Sequence, residues 1–538
     1  VIPDNLAPAV TADQPPTDPA RAIPARDPAA FADPPGRQRG PAAARALGAG
    51  GMALARIAAQ AMQFALFLYA ARVLSTADFG VFSLAYAVIV GLTVLAEAGW
   101  REWVLCAVTQ RQIDEAGGAA LVTGGLIVVP GLALLALGER LAINPALGMV
   151  AALLLPWIVA RPLACVQLGV LTRAGRLAHI AAVQWLCELA SLVTGVALLA
   201  HGAGLAALAW AKLALLAVEL VGYTLGVRRL GLALPKRAEL RAMIRFSLQI
   251  TTARVLTYLQ GNLTTLVIGV AFSPMLVGLY RAATRLGGTA QEVIREPARM
   301  VGWSWLRAAR DQDVAAQAAR PDGGGARGAP EPRLIAAAHQ FLDLAVTIGT
   351  GLMLVLALES AAIVRLLLGG KWIGAAGLVA LLLLGMIARL PQAVAEPLFP
   401  LLGKARLTRR LAAQTAVVGL VCFLIALPFG VTMVALADLV AALLMLGPLL
   451  FYLVTEGGLR PVPALRPFAL ALLAGLGVAL LAMALPSAGA KSGLVALALL
   501  ARDVLALGAV FVALQVMARR MVPVAAVLRD SLSQEMVR

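Results

Sequence analysis

Some fourteen stretches of about twenty mostly apolar residues follow one another along this chain, and no other feature constrains its fold as tightly. They run over 52–73, 80–100, 118–137, 147–169, 179–200 and 204–226, then 246–271, 276–302, 334–358, 374–400, 408–429, 431–453, 467–485 and 493–516. Each has the length that a helix needs to cross the hydrocarbon core of a bilayer. That core offers the backbone no water, so each stretch must satisfy its own amides, which a helix does alone. The runs are continuous rather than alternating with period two, which argues against a barrel. Composition agrees: the chain is 61% hydrophobic and only 14% charged, where soluble domains carry about a quarter. The expected fold is an all-α polytopic membrane protein.

Charge sets the expected topology. The formal net charge is +17, and most cations fall in short connections between apolar runs. With the N-terminus inside, inner loops and tails hold about thirty Lys or Arg, against about five on the outer side. The densest inner patches are RRLGLALPKRAELRAMIR (228–245), GKARLTRR (403–410) and ARRMVPVAAVLRD (518–530). An even number of spans then puts both termini on the cytoplasmic side. This explains the basic balance better than nucleic acid does, because no nucleic-acid recognition module is visible. Cys106, Cys165, Cys187 and Cys422 show no pairing or metal spacing, and His179, His201 and His339 form no cluster, so no metal or cofactor is expected. The start shows no basic stretch leading into an apolar core, so no cleavable signal peptide is expected.

The segment 279–300, LYRAATRLGGTAQEVIREPARM, is the outlier, with four arginines and two glutamates in an oily chain. Two observations require it to span. Without it the 403–410 patch moves to the outer side. It also belongs to an internal repeat. LSTADFGVFSLA (74–85) aligns without gaps to FSPMLVGLYRAA (272–283), pairing Ser75 with Ser273, Gly80 with Gly278 and Phe82 with Tyr280. Each copy lies between the first and second spans of a six-span block. Two such blocks imply pseudo-symmetric lobes with a substrate path between them. The expected organisation is a Pro/Ala-rich disordered tail over 1–46, a first lobe over 47–227, a basic inter-lobe loop over 228–245 and a second lobe over 246–457. A terminal helix pair over 458–516 and a tail over 517–538 follow. The Gly-, Ala- and Pro-rich stretch 309–333 has the composition of a flexible inner loop.

Charged side chains deep in a bilayer cost on the order of 3 kcal/mol or more, so they face a cavity or a partner. Arg281, Arg285, Gly288, Glu292, Arg295 and Arg299 fall on one helical stripe, about 27 Å long at 1.5 Å per residue. Arg254, Tyr258, Gly261 and Thr265 form a second stripe. Arg56, Gln60 and Gln63 form a third, and Arg389, Gln392 and Glu396 a fourth, beside Pro391, Pro397 and Pro400. Those prolines predict a bent or broken tenth span. Arg254, Arg281 and Arg285 have no acidic residue one turn away and are the leading candidates for a cationic, anion-binding cavity, joined by Tyr258, Arg56 and Arg389. Glu292, Arg295 and Arg299 are candidates for an inner gate, and Asp343 and Glu396 for ion coupling. A structural reading stands beside this one. Arg295 with Glu292, Arg299 with Glu296, and Arg389 with Glu396 are also plausible as plain pairs, and Arg56 and Arg299 as snorkelling side chains. Glu97 with Arg101, and Lys212 with Glu219, read as further pairs.

Catalysis finds no support. The longest outer connection, about 359–373, carries no cluster of carboxylates or histidines, and no phosphate-cradling Gly-rich loop opens a helix. The chain is expected to be a transporter rather than an enzyme.

Two stretches resemble a known family. LYAARVLSTADFGVFSLAYAVIVGLTVLAEAGW (68–100) is similar to the opening of polysaccharide transporters in the MOP exporter superfamily, the Wzx-type oligosaccharide flippases. RLLLGGKWIGAAGLVALLLLGMIARLPQAVAEPLFPLLGKARL (365–407) is similar to their Leu-Leu-Gly-x-x-Trp stretch, span and Gly-Lys hairpin, here with Gly369, Gly370, Lys371 and Trp372. The resemblance covers about 50–520. It implies two six-span lobes, a terminal helix pair, and a cavity lined by spans one, two, seven and eight. It further implies that a polyprenyl-diphosphate-linked oligosaccharide enters from the cytoplasm and leaves on the periplasmic face of a bacterial inner membrane. Exopolysaccharide, capsule or O-antigen synthesis would be served, with H⁺ or Na⁺ as possible coupling ion and a polymerase and chain-length machinery as possible partners. Lipid II flippases, multidrug exporters of the same superfamily, and a non-transporting scaffold of a glycan assembly complex are the alternatives. The arginine excess argues against export of cationic drugs.

Overall fold

A computed structural model describes residues 42–107, 109–140, 144–227, 231–318, 332–484 and 498–517. These form helices and connections, with no strand among them. The first lobe holds α1 (Ala42–Val73), α2 (Thr76–Glu97), the short α3 (Trp100–Cys106), α4 (Gln110–Arg140), α5 (Pro145–Arg173), α6 (Leu177–Ala200) and α7 (Ala206–Gly226). The second holds α8 (Arg237–Ala271), α9 (Pro274–Ala318), α10 (Pro332–Leu358), the short α11 (Ser360–Leu367), α12 (Ala376–Arg389), α13 (Gln392–Leu401), α14 (Ala405–Ala426) and α15 (Val431–Thr455). α16 (Pro461–Ala484) and α17 (Ala498–Met517) follow. Eleven segments are both long and apolar enough to cross a membrane. α1, α8 and α9, of 32, 35 and 45 residues, are the three others of spanning length. Each of the fourteen expected spans is thus met by a helix or, for span ten, by a helix pair.

Span ten breaks as its prolines predict. α12 ends at Arg389 and α13 starts at Gln392, because Pro391 has no amide to continue the ladder. Elsewhere helices start on local caps. The Ser75 hydroxyl accepts from Asp78 N (3.0 Å) to open α2, and the Asn144 side chain accepts from Ala146 N (3.0 Å) ahead of Pro145 at the start of α5.

Two expected loops are partly helical. α8 starts at Arg237, inside the supposed 228–245 loop, and the stretch before it is pinned to α4: Gly231 N donates to Asp114 Oδ1 (2.9 Å) and Ala233 N to Asp114 O (3.1 Å). α9 continues to Ala318, so 309–318 is not a flexible loop. Leu306 and Ala309 bury against α10, and Asp313 accepts from Arg333 N (3.0 Å) and Leu334 N (2.9 Å). A side chain on one helix therefore caps the N-terminus of the next. The expected tails fall on 1–41 and 518–538, outside the described residues.

Within the first lobe α6 packs on α7, α4 on α5, and α5 on α2 and α7; within the second α9, α12 and α16 pack on α10, and α12 and α14 on α15. The lobes are joined through α2, which packs against α8 and α9. The repeat-related glycines meet at this joint. A Cβ on Gly80 would overlap the Pro274 carbonyl and lie 2.9 Å from Gly278 N. A Cβ on Gly278 would overlap the Thr76 carbonyl and lie 3.2 Å from Gly80 N. The two halves of the repeat thus face one another as pseudo-equivalent surfaces. The largest buried apolar cluster crosses the joint here, with Phe67, Phe79 and Phe82 from one lobe and Val277, Leu279 and Trp372 from the other.

Candidate functional site

The site is assembled from the polar stripes. α9 carries Arg281 and Arg285 one turn apart, and α8 runs beside α2 with Tyr258 and Thr265 on its polar stripe. The glycines on both stripes report what the stripes face. A Cβ on Gly261 or on Gly288 would meet nothing within 4 Å. Packing is tight beside them: a Cβ on Gly269 would press on Leu84, and one on Gly91 of α2 would come within 3.1 Å of the Tyr258 ring. The stripes therefore border open space.

Arg281 Nη1 donates to Thr265 Oγ1 (3.4 Å). Arg285 Nη2 donates to Gln63 Oε1 of α1, whose Nε2 lies 3.4 Å from Glu188 Oε1 of α6. Gln63 thus links Arg285 of α9 to Glu188 of α6. Lys212 Nζ of α7 stands 5.6 Å from the ring centroid of Tyr86 of α2, and the Tyr86 ring stacks on Phe82 at 5.7 Å. The Tyr258 hydroxyl donates to the Ala87 carbonyl. Six helices from both lobes thus contribute to one polar region. Among the described residues, neither Arg281, Arg285 nor Lys212 has a carboxylate within ion-pair distance.

Several sequence expectations are corrected here. Arg254 is not free for a ligand: Nη1 lies 2.9 Å from Glu97 Oε2 and Nη2 lies 2.8 Å from Glu102 Oε1. Its acids come from α2 and α3, so spacing along its own helix gave no sign of them. Glu97 pairs with Arg161 (3.3 Å) as well as with Arg254, and not with Arg101. Glu219 pairs with Arg161 instead of Lys212, which leaves Lys212 to Tyr86. Arg389 pairs with Asp438 (2.7 Å) rather than Glu396. Arg389 and Glu396 instead line a small cavity inside the second lobe with Gln291, Met386 and Gln392. Asp343 and Glu292 are half-buried on α10 and α9. The side chains of Arg56, Arg295 and Arg299 lie outside the described residues. Sequence reasoning left Lys212, Glu188, Gln63 and Tyr86 out of the site. Lys212 and Glu188 fall inside apolar spans, but spacing along one helix does not show their grouping.

Residues 70–320 match the model of a family described as polysaccharide biosynthesis protein. Comparison with curated protein sequences finds no match. Among solved structures the chain is similar to "Lipid II flippase MurJ, inward closed conformation", with a TM-score of 0.63 and 12% identity over 88% of this chain and 99% of that one. It is also similar to an inward-facing multidrug resistance MATE family transporter of the MOP superfamily, with a TM-score of 0.53 and 14% identity over 74% of this chain and 94% of that one. Likenesses at such identity speak for the fold alone. This multi-pass membrane protein thus has the fold of these transporters, and its residues 70–320 are similar to polysaccharide biosynthesis proteins.

Proposed function

We propose that the chain is a flippase that carries a lipid-diphosphate-linked oligosaccharide from the cytoplasmic to the periplasmic face of a bacterial inner membrane, by alternating access between the two lobes. One observation carries this reading: Arg281 and Arg285 have no carboxylate partner among the described residues and stand beside open space, in a region shared by both lobes. Guanidinium groups in such a place suit phosphate oxygens. Among the described residues of this region, Arg281, Arg285 and Lys212 make three cations against one carboxylate, that of Glu188, a net charge of two that suits the two negative charges of a diphosphate diester. The lipid tail stays in the membrane while the head group passes along α8 and α9. Glu396 and Asp343 remain the proposed coupling groups, for H⁺ or Na⁺, and a polysaccharide polymerase is a proposed neighbour in the cell.

Lipid II itself is a second reading, favoured by the match over almost the whole length of the lipid II flippase. The match of 70–320 to polysaccharide biosynthesis proteins favours the first. Proteoliposomes loaded on one leaflet with each lipid separate them. An undecaprenyl-diphosphate oligosaccharide should become accessible on the far leaflet with the protein present. Movement of lipid II alone would transfer the assignment to the second reading, and movement of neither would remove both.

A further inference from the structure

The two sequence stretches that carry the family resemblance, 68–100 and 365–407, meet at one place, and each supplies what the other's helix end lacks. α1 ends at Val73, which leaves its last carbonyls without helical donors. Trp372 Nε1 donates to Ala71 O (2.7 Å), and Lys371 Nζ donates to Arg72 O (2.9 Å) and to Leu74 O. α11 ends at Leu367 with the same deficit. Arg72 Nε donates to Leu367 O (3.1 Å), and its Nη2 to Leu366 O. Each cation also stands at the negative end of the other lobe's helix dipole. Gly369, at φ +98, makes the turn that brings Lys371 and Trp372 back to α1. The Trp372 ring is fully buried and meets the edge of Phe79 at 5.6 Å. Gly80 and Gly278 meet in the same apolar cluster.

We infer that this reciprocal capping is a reversible clasp that holds the lobes together at the mouth beside the α1–α2 turn, and that it parts when the site opens there. In the proposed topology this is the outer mouth. The chemistry suits repeated opening. Arg72 and Lys371 are both exposed. Their acceptors are helix-end carbonyls that water can take over, so separation strands no buried charge. A permanent joint would instead be expected to bury its cations. The inference is independent of which lipid is carried.

Spin labels at Ala77 and Met275, exposed positions on the first turns of α2 and α9, read the mouth directly by pulsed dipolar spectroscopy of the full chain in nanodiscs. Cys106 and Cys422, the native thiols that are not buried, are replaced first. Lys371→Met and Arg72→Gln should each raise the population of the wide state relative to the narrow one about three- to tenfold, and together by more. Lys371→Arg and Arg72→Lys, which keep a donor, should retain the narrow distribution and show that loss of fold is not the cause. An unchanged distribution in the double variant, with wild-type melting, would overturn the clasp and leave the contact a fixed joint.

Discussion

Alanine at four glycines distinguishes the packed joint from the open stripes. At Gly80 a Cβ would overlap the Pro274 carbonyl and approach Gly278 N to 2.9 Å, where ordinary contact begins at 3.4 Å. The obstructing atoms are backbone, so no side chain can rotate away, and α2 and α9 must part. Overpacking of this kind costs about 1–3 kcal/mol. Replacing a helical glycine by alanine returns about 1 kcal/mol through propensity. That gain is common to the open and closed states and cancels in their ratio, so the closed mouth alone bears about 1–3 kcal/mol for Gly80→Ala, and for Gly278→Ala. At about 1.4 kcal/mol per decade the lower figure shifts the open-to-closed ratio about fivefold and the upper more than about a hundredfold. Gly261→Ala and Gly288→Ala meet no atom within 4 Å and keep only the propensity gain. Melting in detergent should rise by a few degrees for these two, and the dipolar distance between Ala77 and Met275 should stay as in wild type. For Gly80→Ala the wide state should grow. Identical behaviour of the two pairs in both assays would refute the packing argument.

Other substitutions follow from single contacts. Arg161 lies between Glu97 and the buried Glu219, so Arg161→Met should cost about 3–5 kcal/mol by leaving carboxylates unpaired. Adding Glu219→Gln should recover part of the lost melting temperature. Asp313→Ala removes the cap on α10 and should cost about 1 kcal/mol, seen as faster hydrogen exchange at 333–336 with the rest of the helix unchanged. Gly288→Trp should fill the open space beside Arg285 and abolish transport while the protein melts at or above the wild-type temperature.

How much of this was legible in the sequence depends on the range of the interaction. Helix number and extent follow from apolar run length, because the bilayer leaves a backbone few alternatives. Pro391 announced the break in span ten for an equally local reason. The repeat located Gly80 and Gly278 as equivalents, though not that they touch. The extension of α9 through 309–318 is not legible in composition, because it rests on contacts with α10: the burial of Leu306 and Ala309 against it and the cap that Asp313 gives it. Ion pairs were the least legible part. Arg254, Glu97, Glu219 and Arg389 all choose partners on other helices, and spacing along one helix is silent about those. With Arg254 paired to Glu97 and Glu102, and Glu219 paired to Arg161 in place of Lys212, the cations of the polar region that have no carboxylate partner among the described residues are Arg281, Arg285 and Lys212.

The central claim is that these cations carry the head group of a lipid-diphosphate oligosaccharide. Flipping of that lipid in proteoliposomes by Arg281→Ala/Arg285→Ala tests it most directly, with Arg254→Ala as the comparison within the neighbouring helix. The account predicts that the double variant, folded and correctly inserted, loses at least about a hundredfold in initial rate, in keeping with the loss of two charge-assisted contacts. A double variant that flips the lipid at the wild-type rate would contradict it.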